Sequence, residues 1–158
     1  EISWVDWSLA ASDAGKSLAD FTTRLLALRR RCPVLRRNRF LAGEYFEESG
    51  AKDSSWFAPS GEEMQPAQWD DPHTRSFALL LNGRAPLSAI PVAAHDASVL
   101  IVFNGWQDAV PFRLPPALGG RWRLSIDTTD AQRGLDERGQ RFEAYVVTGR
   151  SVVVFESD

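Results

Sequence analysis

Apolar residues at positions 18, 21, 25, 28 and 32 step along the chain by three, four, three and four. That spacing gathers Leu18, Phe21, Leu25, Leu28 and Cys32 on one face of a helix over residues 13–31, and Leu26 widens the stripe. Ser12 or Asp13 can cap its start by accepting from free backbone N–H groups. Pro33 ends it, and Arg29, Arg30 and Arg31 sit where cations offset the negative end of the helix dipole. A face this apolar needs a partner, either in this chain or in a part of the protein beyond it.

After Pro33 the helical period is lost. Residues 34–45 predict a short turn or helix leading into a loop. Residues 54–64 predict a short strand with a turn at Ser60-Gly61, and 66–70 a single helical turn. A strand follows over 76–81, then a loop over 84–97 marked by two prolines and little charge. The second half is strand material. Residues 98–105 are a nearly continuous apolar run that fits a central strand, with further strands at 109–114, 121–127, 142–147 and 151–157. Within 121–127 strict alternation places Trp122, Leu124 and Ile126 on one side. Asn104-Gly105 and Gly119-Gly120 are expected to supply positive-φ turns. Short strands separated by turns predict an antiparallel β-sandwich or barrel, and no internal repeat is present. The layout is mainly β, preceded by one amphipathic helix.

Composition narrows the function classes. The chain has 158 residues and 44% hydrophobic content, enough for one domain with a core. A net charge of −3 argues against a nucleic-acid partner. One cysteine, Cys32, allows no internal disulfide. The longest apolar run, residues 99–103, is too short to span a bilayer. A chain that opens at Glu1 with "EISWVDW" and no leader is expected to be the trimmed end of something larger.

Catalytic constellations are scarce. The two histidines, His73 and His95, fall in expected loops, and no serine sits in a Gly-x-Ser-x-Gly elbow. One Cys and two separated His cannot build a zinc cage, so no metal and no cofactor is expected. Asp127, Asp130 and Asp136 read as turn carboxylates rather than a calcium site. The six arginines between Arg29 and Arg39 read as a helix end and its solvated exit. Adjacent carboxylates such as Glu47-Glu48, Glu62-Glu63 and Asp70-Asp71 lack the separation and cleft that glycoside hydrolysis requires. The six tryptophans carry more signal, because sugar rings stack on flat apolar faces. Trp56, Trp69 and Trp122 are expected in the core. Trp4 and Trp7, beside a chain end, are balanced between packing and ligand contact.

Two stretches carry a family resemblance. "ISWVDW" with the helix "LADFTTRLLALRRRCPVLRRNRFLAG" resembles the region after the last barrel strand in bacterial glycogen debranching enzymes of the isoamylase type (the GlgX group), in glycoside hydrolase family 13, the α-amylase superfamily. "SSWFAPSGEEMQPAQWDDPHTRSFALLLNG" resembles the segment that follows in that group. Its Pro-x-Gly-x-Glu-Met turn and Asp-Trp-like pair match Pro59, Gly61, Glu63, Met64 and Trp69, with Gln68 where an acidic residue is usual. "LIVFNGWQDAVPFRLPP" and "GRSVVVFES" resemble the strands of its C-terminal domain.

The resemblance implies that residues 1–32 are the final loop and helix of a (β/α)8 barrel, 33–53 a connecting segment and 54–158 a C-terminal β-sandwich of the α-amylase type. It implies a cytoplasmic parent enzyme that hydrolyses α-1,6 branch links in glycogen or limit dextrin, with its catalytic carboxylates upstream and none in this chain. The implied partners are the upstream barrel of the same polypeptide and branched α-glucan, with no nucleic acid and no membrane. Barrel active sites are built from loops at the strand ends, so Trp4, Asp6 and Trp7 are the expected substrate contacts. The alternative is a stand-alone glycan-binding β-sandwich module. That reading expects a solvent-facing aromatic pair, Trp106 with Phe112, as a secondary glycan contact.

Overall fold

The computed structural model describes residues 4, 6–38, 40–47, 50–85, 97–117, 120–130 and 142–157. The amphipathic segment folds as helix α1, Asp13–Arg31. Ser12 caps it, its hydroxyl accepting from the Gly15 N–H at 3.0 Å. Cys32 closes it by donating its N–H to Leu28 O at 2.9 Å, and Pro33 opens a 3-10 turn over Pro33–Arg36. Among the described residues no helix is long and apolar enough to cross a membrane.

A small hairpin, β1 (Tyr45–Phe46) with β2 (Ala51–Lys52), follows α1. Strands of two residues leave no alternation to read, which is why the periodicity shows only a loop there. Next come β3 (Ser54–Phe57), the single-turn helix α2 (Pro66–Trp69), β4 (Ser76–Leu81) and β5 (Val99–Asn104). β6 (Val110–Arg113), β7 (Trp122–Asp127), β8 (Ala144–Val147) and β9 (Ser151–Ser157) complete the chain. Five strands form one antiparallel sheet in the order β3-β4-β5-β9-β7, and β6 and β8 pair separately. The expected mainly-β architecture of antiparallel sheets behind an N-terminal helix is the one observed.

Three layers result. On one face of the sheet, Leu80, Leu100, Val102, Leu124 and Phe155 are buried against Phe112 and Val147 of the β6–β8 layer. On the other face, Leu81, Val99, Ile126 and Val154 meet Leu28, Cys32 and Val34. The helix therefore finds a partner in this chain along the side that carries Phe21, Leu28 and Cys32. Leu18, Leu25 and Leu26 remain exposed.

Three expectations need correction. Ile126 is not on the side of Trp122 and Leu124. The β7–β9 register shifts between Leu124 and Ile126, because Ser125 is an extra residue in the ladder. Such a bulge reverses the facing of everything after it, so Ile126 joins the helix layer. Trp56 and Trp69 are not core residues, although Trp122 is. They are 37% and 49% exposed. Trp56 lies on edge strand β3, and Trp69 of α2 meets it edge-to-face at 5.3 Å without covering it. Left-handed backbone occurs among the described residues at Gly43, Gly50, Gly61 and Arg150, so Gly105 is not such a position. The Ser60-Gly61 turn does form, with Gly61 at φ +84°. A Cβ on Gly61 would lie 2.9 Å from Arg113 O, so glycine lets this turn sit against β6.

The expected loop over 84–97 falls largely on residues 86–96, outside the described residues. His95, Asp136, Glu48, Arg39 and Gly119 also lie outside them.

Candidate functional site

Trp4 and Trp7 are 81% and 79% exposed. Trp7 opens a 3-10 turn, Trp7–Ala11, and Asp6 caps it. The Asp6 carboxylate accepts from the Ser8 hydroxyl at 2.6 Å and the Ser8 N–H at 2.9 Å, and those two bonds hold its pKa below the ordinary aspartate value. The turn rests directly on the start of α1, where a Cβ on Gly15 would meet Leu9 O at 2.1 Å. Asp6 thus shapes the segment that presents Trp7, and both indoles, with Leu9, face solvent in this chain.

Trp106 and Phe112 do not form the expected solvent-facing pair. Phe112 is 1% exposed, because alternation along β6 turns it inward between the two sheets. Trp106 does reach solvent, at 37% exposure, and lines a cleft of about 510 Å³ with Met64, Gln68, His73, Arg75 and Val110. The turn that carries it is built by Asn104, whose Oδ1 accepts from the Trp106 N–H at 3.0 Å and the Ser76 hydroxyl at 2.8 Å. Asn104 Nδ2 donates to Asp108 O at 2.9 Å and Val147 O at 3.0 Å. The Arg75 guanidinium lies over the Trp106 ring, 4.8 Å from its centroid.

Sequence reasoning missed two residues here. The sequence marks Asn104 only as a turn former and does not single out Arg75. An Asn closing a central apolar strand was the available signal, since a buried amide must be fully hydrogen-bonded.

Among the described residues the remaining polar groups are engaged in local contacts. Glu63 is ion-paired with Lys52, and Asp71 accepts from the His73 N–H at 2.9 Å and lies 3.1 Å from His73 Nδ1. Asp127 is spent on structure, accepting from the Thr129 N–H, the Thr129 hydroxyl and the Tyr145 hydroxyl. Among the described residues no group of three or more His, Cys, Asp or Glu could hold a metal ion.

Residues 53–156 match the family model described as isoamylase, C-terminal. The chain belongs to the isoamylase C-terminal family. Across the isoamylase C-terminal domain and the helix before it, the chain is 32% identical over 158 residues to a glycogen operon protein GlgX homolog of Mycobacterium bovis. That alignment covers 98% of this chain and 22% of the relative. An isoamylase from a Flavobacterium species is 28% identical over 132 residues, covering 83% of this chain and 16% of that enzyme. A glycogen debranching enzyme of Pectobacterium atrosepticum is 27% identical over 123 residues, covering 77% and 17%. The chain thus spans about a fifth of the curated relatives it matches. It corresponds to a C-terminal part of larger debranching enzymes, which carry other domains besides the isoamylase C-terminal domain.

Proposed function

We propose that this chain is the C-terminal portion of a cytoplasmic glycogen debranching enzyme that hydrolyses α-1,6-glucosidic branch links in glycogen or limit dextrin. The part described here is non-catalytic and structural. Retaining hydrolysis needs two carboxyls about 5–5.5 Å apart across a bound sugar, and that pair belongs to the upstream (β/α)8 barrel. Residues 1–32 supply the barrel's last loop and helix, 33–53 connect, and 54–158 form the sandwich.

The observation that carries this reading is the half-partnered helix. Phe21, Leu28 and Cys32 pack against this chain's own sheet, whereas Leu18, Leu25 and Leu26 stay exposed on the helix, as do Trp4, Trp7 and Leu9 before it. A helix covered along one side, with apolar residues left exposed beside it, fits a joint between two bodies. In this reading the sandwich grips one side and the barrel the other. Trp4 and Trp7 then lie at the barrel mouth within reach of branched α-glucan, and Asp6 fixes the turn between them.

The test is the native gene product. A product several times larger than 17.6 kDa that releases linear maltooligosaccharides from limit dextrin is expected. A product near that mass, without such activity, would overturn the reading. A stand-alone glycan-binding module would then lead, although burial of Phe112 removes one half of the aromatic pair it expected.

A further inference from the structure

We propose that the sandwich carries a glucan-binding subsite of its own, the Trp106 cleft, which takes about two or three glucose units of a neutral α-1,4-linked chain. The choice of glucan as ligand rests on the debranching reading above; the cleft does not.

The cleft lies at the end of β4 and β5 marked by Ser76 and Asn104. The helix packs at the other end, where Leu81 and Val99 meet Leu28 and Cys32. The two surfaces are therefore distinct. At about 510 Å³ the cleft falls within the size of small-ligand sites, about 300–1,000 Å³. Its wall is largely apolar, with Met64 and Val110 beside the indole, and its rim is polar, with Gln68, His73 and Arg75. A pyranose presents that same division, a C–H face ringed by hydroxyls.

The indole is held in place before any ligand arrives. Its Nε1 donates to Asp108 Oδ2 at 3.1 Å, its backbone N–H to Asn104, and its carbonyl accepts from the Arg150 N–H at 2.8 Å. A platform fixed at three points loses little freedom on binding. Arg75 has no ion pair among the described residues, so its guanidinium N–H groups can donate to sugar hydroxyls. The Arg75 cation is accompanied by two carboxylates just behind the lining, Asp71 against His73 and Asp108 on the Trp106 indole, which favours an uncharged polyhydroxyl ligand over an anion. A second attachment point would retain long outer chains near the barrel by raising their effective concentration.

The test uses the full-length gene product in native gels containing glycogen. Trp106→Ala is expected to weaken retardation about fivefold, and Arg75→Ala, at the rim, about threefold, in the range of contact truncations. Retardation unchanged in both variants, in an enzyme that debranches limit dextrin, overturns the subsite. Should Trp106→Ala fail to fold, Arg75→Ala alone decides: weakened retardation supports the subsite and unchanged retardation overturns it. A wild-type product that is retarded through Trp106 but releases no branches would count against the debranching reading and leave the subsite standing.

Discussion

Arg31 and Glu156 form a two-pronged ion pair that ties the last turn of α1 to strand β9. Arg31 Nε donates to Glu156 Oε2 at 2.9 Å, and Nη2 donates to Oε1. The Ser125 hydroxyl donates to Oε1, and Cys32 Sγ lies 3.3 Å from Oε2. Glu156 is almost wholly buried while Arg31 is half exposed. Alternation along β7 puts Arg123 and Ser125 on the face of this carboxylate, and the bulge after Leu124 adds Ile126 to that face.

This pair makes stability depend on acid. Burial pushes the Glu156 carboxyl up, but hydrogen bonds from Arg31 and Ser125, the Arg31 charge and Cys32 outweigh it and hold the group below the ordinary glutamate value. A depressed folded-state pKa contributes stability above the unfolded value, about 4.3, and loses it as pH falls through the folded one. Urea unfolding should show flat stability near neutral pH and a decline below about pH 4.5. Glu156→Gln should flatten part of that decline. Arg31→Ala should cost about 2–3 kcal/mol at neutral pH, less than a fully buried partner would, because Arg31 is half in water. An unchanged acid slope in Glu156→Gln would show that the pair does not couple folding to pH.

Asp53 plays the matching role for the exit from the helix. It is buried and accepts from the Ala42 N–H at 3.0 Å, the Gly43 N–H at 2.9 Å and the Ser54 hydroxyl at 3.2 Å, with Arg37 Nη2 at 3.4 Å. Burial raises its pKa, yet these amides and the Arg37 charge prevail and hold it low. Asp53→Ala should cost about 2–4 kcal/mol, since it strands donors around a vacated site. The specific readout is amide hydrogen exchange. Ala42 and Gly43 should lose protection by about tenfold or more relative to sheet amides, and equal loss throughout would point to a global effect only.

The Ser125 bulge can be tested by coupling. Ile126→Ala, Leu28→Ala and Phe112→Ala should each cost about 2–5 kcal/mol. Ile126 and Leu28 share the helix layer, so their double variant should depart from additivity by about 0.5 kcal/mol or more. Ile126 and Phe112 lie on opposite faces of the sheet, and their costs should sum within about 0.5 kcal/mol. Unbroken alternation along β7 would give the opposite pattern.

These positions mark where sequence periodicity serves and where it fails. The helix, its Ser12 cap and the strands β4, β5 and β9 are readable because each repeats one period for several residues. The bulge is invisible because Arg-Leu-Ser-Ile still alternates as text, and only the ladder to β9 shows the slip. The exposure of Trp56 is hidden for a related reason. A tryptophan on an edge strand has the same local pattern as one in a central strand, and strand order is not a local property. The helix joint was half legible. The stripe announced a partner, but which residues this chain covers depends on a carboxylate 125 positions after Arg31. Of the site residues, Trp106 stood out as an aromatic in a turn, whereas Arg75 and Asn104 gain meaning only beside it.

The N-terminal turn separates a packing role from a substrate role most cleanly. Trp4 and Trp7 are exposed in this chain, so their loss should disturb its core little. In the full-length gene product, Trp4→Ala is expected to lower kcat/KM on branched dextrin by about tenfold, roughly 1.4 kcal/mol of transition-state binding, with a small change in Tm. Asp6 caps the turn that presents Trp7, so in the proposed reading it would act by positioning. Asp6→Ala should reduce turnover, and Asp6→Asn, which still offers an oxygen to the Ser8 N–H, should restore most of it. A fall in Tm with turnover intact would instead assign both tryptophans to packing at the barrel mouth, and would leave Asp6 a structural cap alone.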